Sequence, residues 1–131
     1  MNWKPLAALL AAAALMPGCG GQSDADAARS KMQSFLTAIR DGNGQRACSL
    51  LSSDAVSQLG RGNPANCAQV LSSATAQERQ LIGKVTVRSV KVSGNRASVT
   101  LDYSAATGLP HGGGPSSMIR VSGNWKVQNI P

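Results

Sequence analysis

The sequence predicts an α+β domain in which helices come first and an antiparallel sheet follows. Up to Ile82 the apolar residues recur at three- and four-residue steps, which is the period of a helix with one buried face. After Gly83 the period changes to two, which is typical of a strand with one buried face. Tight-turn sequences separate the later apolar runs. We therefore expect N-terminal helices that pack on one face of a curved four-strand antiparallel sheet.

The chain begins with the features of an export signal. Lys4 gives the start of the chain a positive charge, and the uninterrupted apolar stretch over residues 6–16 is too short to span a bilayer as a helix. Pro17 and Gly18 then break a helix and leave an extended segment that a peptidase can cleave. We expect residues 1–18 to be a signal peptide.

Residues 15–19, Leu-Met-Pro-Gly-Cys, resemble a bacterial lipobox. Gly18 satisfies the need for a small residue before the cysteine, whereas Met16 and Pro17 differ from the usual Leu and the usual Ala or Ser. The resemblance implies that Cys19 becomes the new amino terminus and carries a thioether-linked diacylglycerol with palmitate-type acyl chains. The protein would then be lipid-anchored on the extracytoplasmic face of the cell membrane. The alternative is a freely secreted protein, cut after Ala27.

Residues 19–27 are predicted to be the lipidated cysteine and a short extended tether, and residues 28–131 the folded domain. Eight extended residues reach at most about 28 Å, so the domain should lie close to the membrane. A first helix is expected from Ala28, with Gly42 ending it.

Four shorter helical segments are predicted between this helix and Gly83. Asn43, Ser53 and Asn63 are suited to cap the first three, because their side chains can accept hydrogen bonds from free backbone N–H groups. Thr75 and Glu78 have the spacing of a capping box, which predicts the last helical segment.

Two strands joined by a hairpin follow Gly83. Val85 and Val87 alternate with polar residues, but Val90 and Val92 have the opposite phase, which indicates a bulge near residues 88–89. Residues 93–95, Ser-Gly-Asn, predict the hairpin turn, and residues 97–103 alternate as a second strand.

Two further strands complete the predicted sheet. Residues 108–116 are rich in Gly and Pro and predict a long mobile loop. Ile119 and Val121 indicate a third strand, and residues 125–130 a closing strand that contains Trp125.

Three cysteines are an awkward number in an oxidising compartment, because one would stay unpaired. With Cys19 assigned to the lipid, Cys48 and Cys67 are left to form a disulfide. Closing the loop between them would stabilise the fold by roughly 3 kcal/mol. Two thiols and the lone His111 are too few for a metal site, so no metal or other cofactor is expected. Nucleophilic cysteine chemistry would need His111, which lies in the Gly-rich loop.

Composition narrows the classes of partner. The formal net charge is +7, which favours contact with anionic lipid head groups or acidic wall polymers. The arginines form no run, so we interpret them as scattered solvating charges. Aromatic residues make up 3% of the chain, too few for a stacking platform, and no nucleic acid partner is expected.

The order of the short motifs resembles small exported bacterial proteins of the NTF2-like superfamily, which have a cystatin-like α+β fold. An opening helix ends in residues 39–44, Ile-Arg-Asp-Gly-Asn-Gly, and residues 47–52 read Ala-Cys-Ser-Leu-Leu-Ser. Residues 93–100 form a hairpin, and residues 123–127, Gly-Asn-Trp-Lys-Val, close the chain. The resemblance covers about residues 25–131 and implies a cone-shaped arrangement of helices and sheet.

Catalytic members of that superfamily place His, Asp or Tyr inside the cone. Tyr103 shares the inward phase of its strand, whereas Asp102 has the opposite phase and is expected to face solvent. The candidate pocket residues are Tyr103, Phe35 and Trp125. One inward polar group is insufficient for acid–base catalysis, so no catalytic residue is assigned.

These observations predict a membrane-anchored envelope lipoprotein with a non-catalytic binding or interaction domain. Its partner would be another envelope protein or a small apolar ligand. One alternative is a small enzyme of the dehydratase–isomerase type that uses Tyr103. Another is a spacer or oligomerisation module, with a homodimer formed through the sheet face.

Overall fold

A computed structural model describes residues 20–107 and 113–129. The predicted signal peptide, Cys19 and His111 lie outside these residues. The helices are α1 (Gly20–Arg40), α2 (Gly44–Ser49), α3 (Ser53–Gly60), α4 (Pro64–Ser72), α5 (Ala76–Ile82) and the short α6 (Ser104–Thr107). The strands are β1 (Thr86–Ser93), β2 (Arg96–Asp102), β3 (Gly113–Val121) and β4 (Asn124–Asn129).

The predicted α+β class is confirmed. Within the described residues, five helices precede an antiparallel sheet with the strand order β1-β2-β3-β4. Helix α1 crosses the sheet and contacts β1, β2 and β4, while α3 contacts β4. The sheet is not strongly curled, so the cone that the resemblance implies stays a prediction.

Helix α1 begins at Gly20, whereas we expected an extended tether up to Ala27. Small and polar residues of this kind are compatible with a helix when a tertiary contact supports it. That contact is the ion pair between the Arg120 guanidinium and the Asp24 carboxylate, with 2.8 Å between Nη1 and Oδ1. The helix ends as predicted at Gly42, whose φ of 75° is a left-handed conformation that glycine adopts without strain.

The predicted caps are present, with one shift. Asn43, Asn63 and Thr75 each accept a backbone N–H from the first turn of the helix that follows. Helix α3 is capped by Ser52, which accepts from the Ala55 N–H at 3.2 Å, and not by Ser53. Ser53 is instead the first residue of the helix, because the backbone is still extended at Ser52, with φ −69° and ψ 162°.

That segment also closes one edge of the sheet. Leu51 forms a parallel bridge with Val127 of β4. The Val127 N–H donates to the Leu50 carbonyl, and the Ser52 N–H donates to the Val127 carbonyl, each at 2.8 Å. Because these bonds satisfy backbone groups of the edge strand, they protect β4 from pairing with another chain.

The core lies between α1 and the inner face of the sheet. Helix α1 contributes Met32 and Phe35, which are 0% and 1% exposed. Strand β2 contributes Val99 and Leu101, both fully buried, in the alternation that the sequence predicts. The predicted bulge is also confirmed, since the β1–β2 register shifts between Val87 and Ser89.

The third strand differs from the prediction in both start and phase. It begins at Gly113, so residues 113–116 of the expected loop are in the sheet. Met118 is 1% exposed, whereas Val121 is 49% exposed. The cause is the pairing register: Met118 lies opposite the inward-facing Ala97, which puts Ile119 on the outer face.

Candidate functional site

The predicted disulfide joins Cys48 of α2 to Cys67 of α4. The two Cα atoms are 6.1 Å apart, within the usual range for a disulfide. Cys67 is completely buried, while Cys48 is half-buried. The bond therefore fixes a helix pair at one end of the domain.

A glycine permits these two helices to approach closely. A Cβ on Gly44 would lie 2.1 Å from the Ala68 carbonyl oxygen and 2.2 Å from Ser72 Oγ. The Gly44 N–H donates to that Ser72 hydroxyl at 3.1 Å. The contact between α2 and α4 is consequently tight and is held by both packing and a covalent bond.

Of the three candidate pocket residues, two are in the core. Phe35 and Trp125 are 1% and 2% exposed, and the guanidinium of Arg120 stacks 5.0 Å from the centre of the Trp125 ring. Tyr103 is half-buried beside the core, and burial raises the pKa of its hydroxyl. None of the three lines the surface depressions described below.

Asp102, the carboxylate next to Tyr103, is already engaged. Its Oδ1 accepts from both the backbone N–H and the hydroxyl of Ser104, at 2.9 and 2.6 Å, and its Oδ2 is 3.2 Å from Arg88 Nη2. These hydrogen bonds to Ser104, together with Arg88, lower the pKa of the Asp102 carboxyl to about 2. A carboxylate with so low a pKa is a poor general base at neutral pH.

The most distinctive surface feature lies where α1 ends and β1 begins. We call it the basic groove. One part is a depression of about 320 Å³ between α1 and the start of β1, and the adjoining part is about 540 Å³ beside α5. Both parts are lined by Arg40 and Gly83. The ionisable groups of the described lining are all cations: Arg40, Arg79 and Lys84.

Two cations of the basic groove, Arg40 and Arg79, lie against glycines. The methylenes of Arg40 lie across Gly83, where a Cβ would be 3.0 Å from Arg40 Cδ. Arg79 Nη1 would lie 2.7 Å from a Cβ on Gly42, at the C-terminal end of α1. A helix C-terminus carries partial negative charge, which favours a guanidinium there. Arg79 Nε is buried and has no hydrogen-bond partner within the described residues.

The smaller depression has a mixed lining, in which polar groups of Gln33, Thr37 and Thr86 surround an apolar floor. Leu36, Ile82, Val85 and Val87 line it, and each is partly buried against the core. A concave apolar floor beside converging charged groups is the usual composition of a small-molecule site. The sequence did not indicate this arrangement, because Arg40 is far from Arg79 and Lys84 along the chain and the arginines form no run.

A second depression, of about 720 Å³, lies beside the disulfide. Its lining includes Cys48, Val56 and Ala68 and contains no charged side chain among the described residues. Among all described residues, no group of three or more His, Cys, Asp or Glu side chains could hold a metal ion. We take the basic groove as the candidate site, because its lining brings three cations together beside apolar side chains.

Within residues 20–107 and 113–129, no helix is both long enough and apolar enough to cross a membrane. Comparison of the chain with known protein families, with characterised proteins and with solved structures gave no significant match.

Proposed function

We propose that this protein is an exported lipoprotein of the bacterial envelope, anchored through Cys19, whose α+β domain binds a partner molecule and does not perform catalysis. The observation that carries the proposal is the arrangement of the cysteines. The disulfide accounts for Cys48 and Cys67 and is compatible with an extracytoplasmic location, because such bonds persist in oxidising compartments. Cys19 is the third cysteine, and it directly follows an apolar stretch and a small residue.

The proposal includes membership of the NTF2-like superfamily, which the order of the short sequence motifs supports. Helices that cover one face of an antiparallel meander are compatible with that fold. Members of one fold carry unrelated functions, so the proposed binding role rests on the site and not on the fold.

A binding role is supported by the state of the polar groups near the core. Asp102 is committed to Arg88 and Ser104, which leaves Tyr103 without an acid–base partner on the neighbouring position of the chain. Acid–base catalysis needs two groups that meet in one site. The basic groove, by contrast, offers a concave surface with charges of one sign.

Intact-mass spectrometry of the protein purified from its native membrane, with and without reduction, tests the proposal. We expect a mass that begins at Cys19 and includes diacylglycerol, and that rises by two hydrogens when the disulfide is reduced. Replacing Cys19 by Ala should release the protein from the membrane fraction.

An unacylated mass, or one that begins at another residue such as Ala28, would contradict the lipid anchor and favour a freely secreted binding protein. Membrane association that persists in Cys19→Ala would contradict it as well. Neither outcome would affect the disulfide, which the mass change on reduction measures separately.

A further inference from the structure

We propose that the basic groove binds the phosphate head group and the single acyl chain of a lysophospholipid-type amphiphile. The inference rests on the proposed binding role of the domain and is independent of the lipid anchor. Two parts of the groove carry it: a cationic part beside α5 and an apolar part between α1 and β1.

The cationic part fits a phosphate. Arg40, Arg79 and Lys84 line one depression, whose described residues include no carboxylate. Three positive charges suit a phosphate ligand better than a singly charged carboxylate ligand. An arginine guanidinium can also donate two parallel hydrogen bonds to two oxygens of one phosphate. Asp41 forms an ion pair with Arg40, but its contact with Arg40 Nε, at 3.3 Å, lies at the surface where such pairs are weak.

The three cations differ in solvent exposure, and we infer a different role for the exposed and the half-buried side chains. Arg40 and Lys84 are exposed, so their side chains can turn toward a ligand without disturbing the core. Arg79 is half-buried under the C-terminus of α1, and its unpartnered Nε shows that its hydrogen-bonding capacity is not used up within the described residues. Arg79 thus provides a fixed charge, and Arg40 and Lys84 provide mobile donors.

The apolar part fits one acyl chain. Leu36, Ile82, Val85 and Val87 supply a floor that is continuous with the cationic part at Arg40 and Gly83. The volume of about 320 Å³ is at the lower end of the range for small-molecule sites, roughly 300–1,000 Å³, which favours one chain over two. The absence of a side chain at Gly83 leaves room for the Arg40 methylenes, so Arg40 lies at the junction of the two parts.

Calorimetric titration with four water-soluble probes tests the proposal. The full-length protein, held in nanodiscs of a zwitterionic lipid, is titrated with octyl phosphate, octyl glucoside, octanoate and inorganic phosphate, and the heat from empty nanodiscs is subtracted. We expect octyl phosphate to bind at least about ten-fold more tightly than each of the others, because only it fills both parts of the groove.

Variants then locate the binding. Arg40→Gln and Lys84→Gln should each weaken octyl phosphate binding by about ten-fold, the usual size of a charge-assisted hydrogen bond. Arg96→Gln is the matched control, since it removes the same charge from an exposed position at the opposite end of the sheet. All three residues are exposed, so the fold should be retained, and a thermal melt of each variant checks this.

Three outcomes would overturn the proposal. Equal binding of octyl phosphate and octyl glucoside would show that the charge is not used, and equal binding of octanoate would overturn the phosphate assignment. An equal loss in Arg96→Gln would show nonspecific attraction to a basic protein. If the protein is not acylated, the same titrations are run on the protein in solution without nanodiscs, so failure here is distinguishable from failure of the lipid anchor.

Discussion

The two ends of the helical layer differ in how closely their helices pack and in the charge of their surfaces. Where α2 meets α4, a disulfide and a glycine contact bring the backbones close, and the neighbouring depression has no charged lining among the described residues. Where α1 meets α5 and β1, the structure leaves a groove lined by three cations. The covalent end should respond to redox conditions and to added volume, whereas the charged end should respond to salt and to bound anions. Experiments on stability can separate these two responses.

The largest effect is expected from removing the disulfide. The double variant Cys48→Ala/Cys67→Ala should lower the free energy of unfolding by about 3 kcal/mol, because the unfolded chain regains the entropy of the closed loop. Urea unfolding under oxidising conditions measures it. Wild-type protein with a reducing agent should fall by a similar amount, and a reductant that further destabilises the double variant would contradict the assignment.

A smaller but still large effect is expected from Gly44→Ala. Its Cβ would lie 2.1 Å from a backbone oxygen of α4, which cannot move alone, and the two helices would have to separate. We expect a loss of about 2 kcal/mol, typical of overpacking. The matched variant is Gly83→Ala, whose Cβ meets the flexible methylenes of Arg40 at 3.0 Å.

Gly83→Ala should change the free energy of unfolding by less than about 0.5 kcal/mol, because an arginine side chain can move aside. Equal destabilisation of both alanine variants would contradict the inference that the surroundings of Gly44 are more rigid than those of Gly83. Urea unfolding of the two variants side by side measures this.

The smallest effect is expected from Asp102, a partly buried carboxylate at the end of β2. Since its pKa is lowered from 3.8 to about 2 in the folded protein, its contribution to stability is present above pH 4 and is lost as the pH falls toward 2. Asp102→Asn should therefore remove part of the loss of stability between pH 4 and pH 2. Thermal melts across that range measure it, and an unchanged pH dependence would show that the carboxylate is not stabilised by Ser104 and Arg88.

The parts of the fold that were predicted correctly are mostly set by short stretches of sequence. The change of period at Gly83, the caps at Asn43 and Asn63, the hairpin at residues 93–95 and the β1 bulge are all set by a few neighbouring residues, and all are confirmed. The Cys48–Cys67 disulfide was also predictable, because parity left a single pair once Cys19 was assigned elsewhere.

The errors share a nonlocal cause. The phase of β3 follows from its register with β2, and the early start of α1 is supported by a contact between Asp24 and Arg120, at opposite ends of the chain. The basic groove has the same origin. Arg40 and Arg79 meet only because α5 returns beside the end of α1, and single-sequence patterns carry no information on that return.

The continuous helix from Gly20 has a mechanical consequence for a chain held at Cys19. As a helix, residues 20–27 advance about 12 Å, compared with about 28 Å for an extended coil. A helix clamped to the sheet by Asp24 and Arg120 also cannot swivel as a coil would. The domain would therefore be held close to the membrane in a fixed orientation. The anchored end of the domain would be the end with the β1–β2 turn. From Asp24 to Arg40, α1 advances about 24 Å, so the basic groove lies at the opposite end. A ligand would therefore reach the groove on the side of the domain away from the anchor.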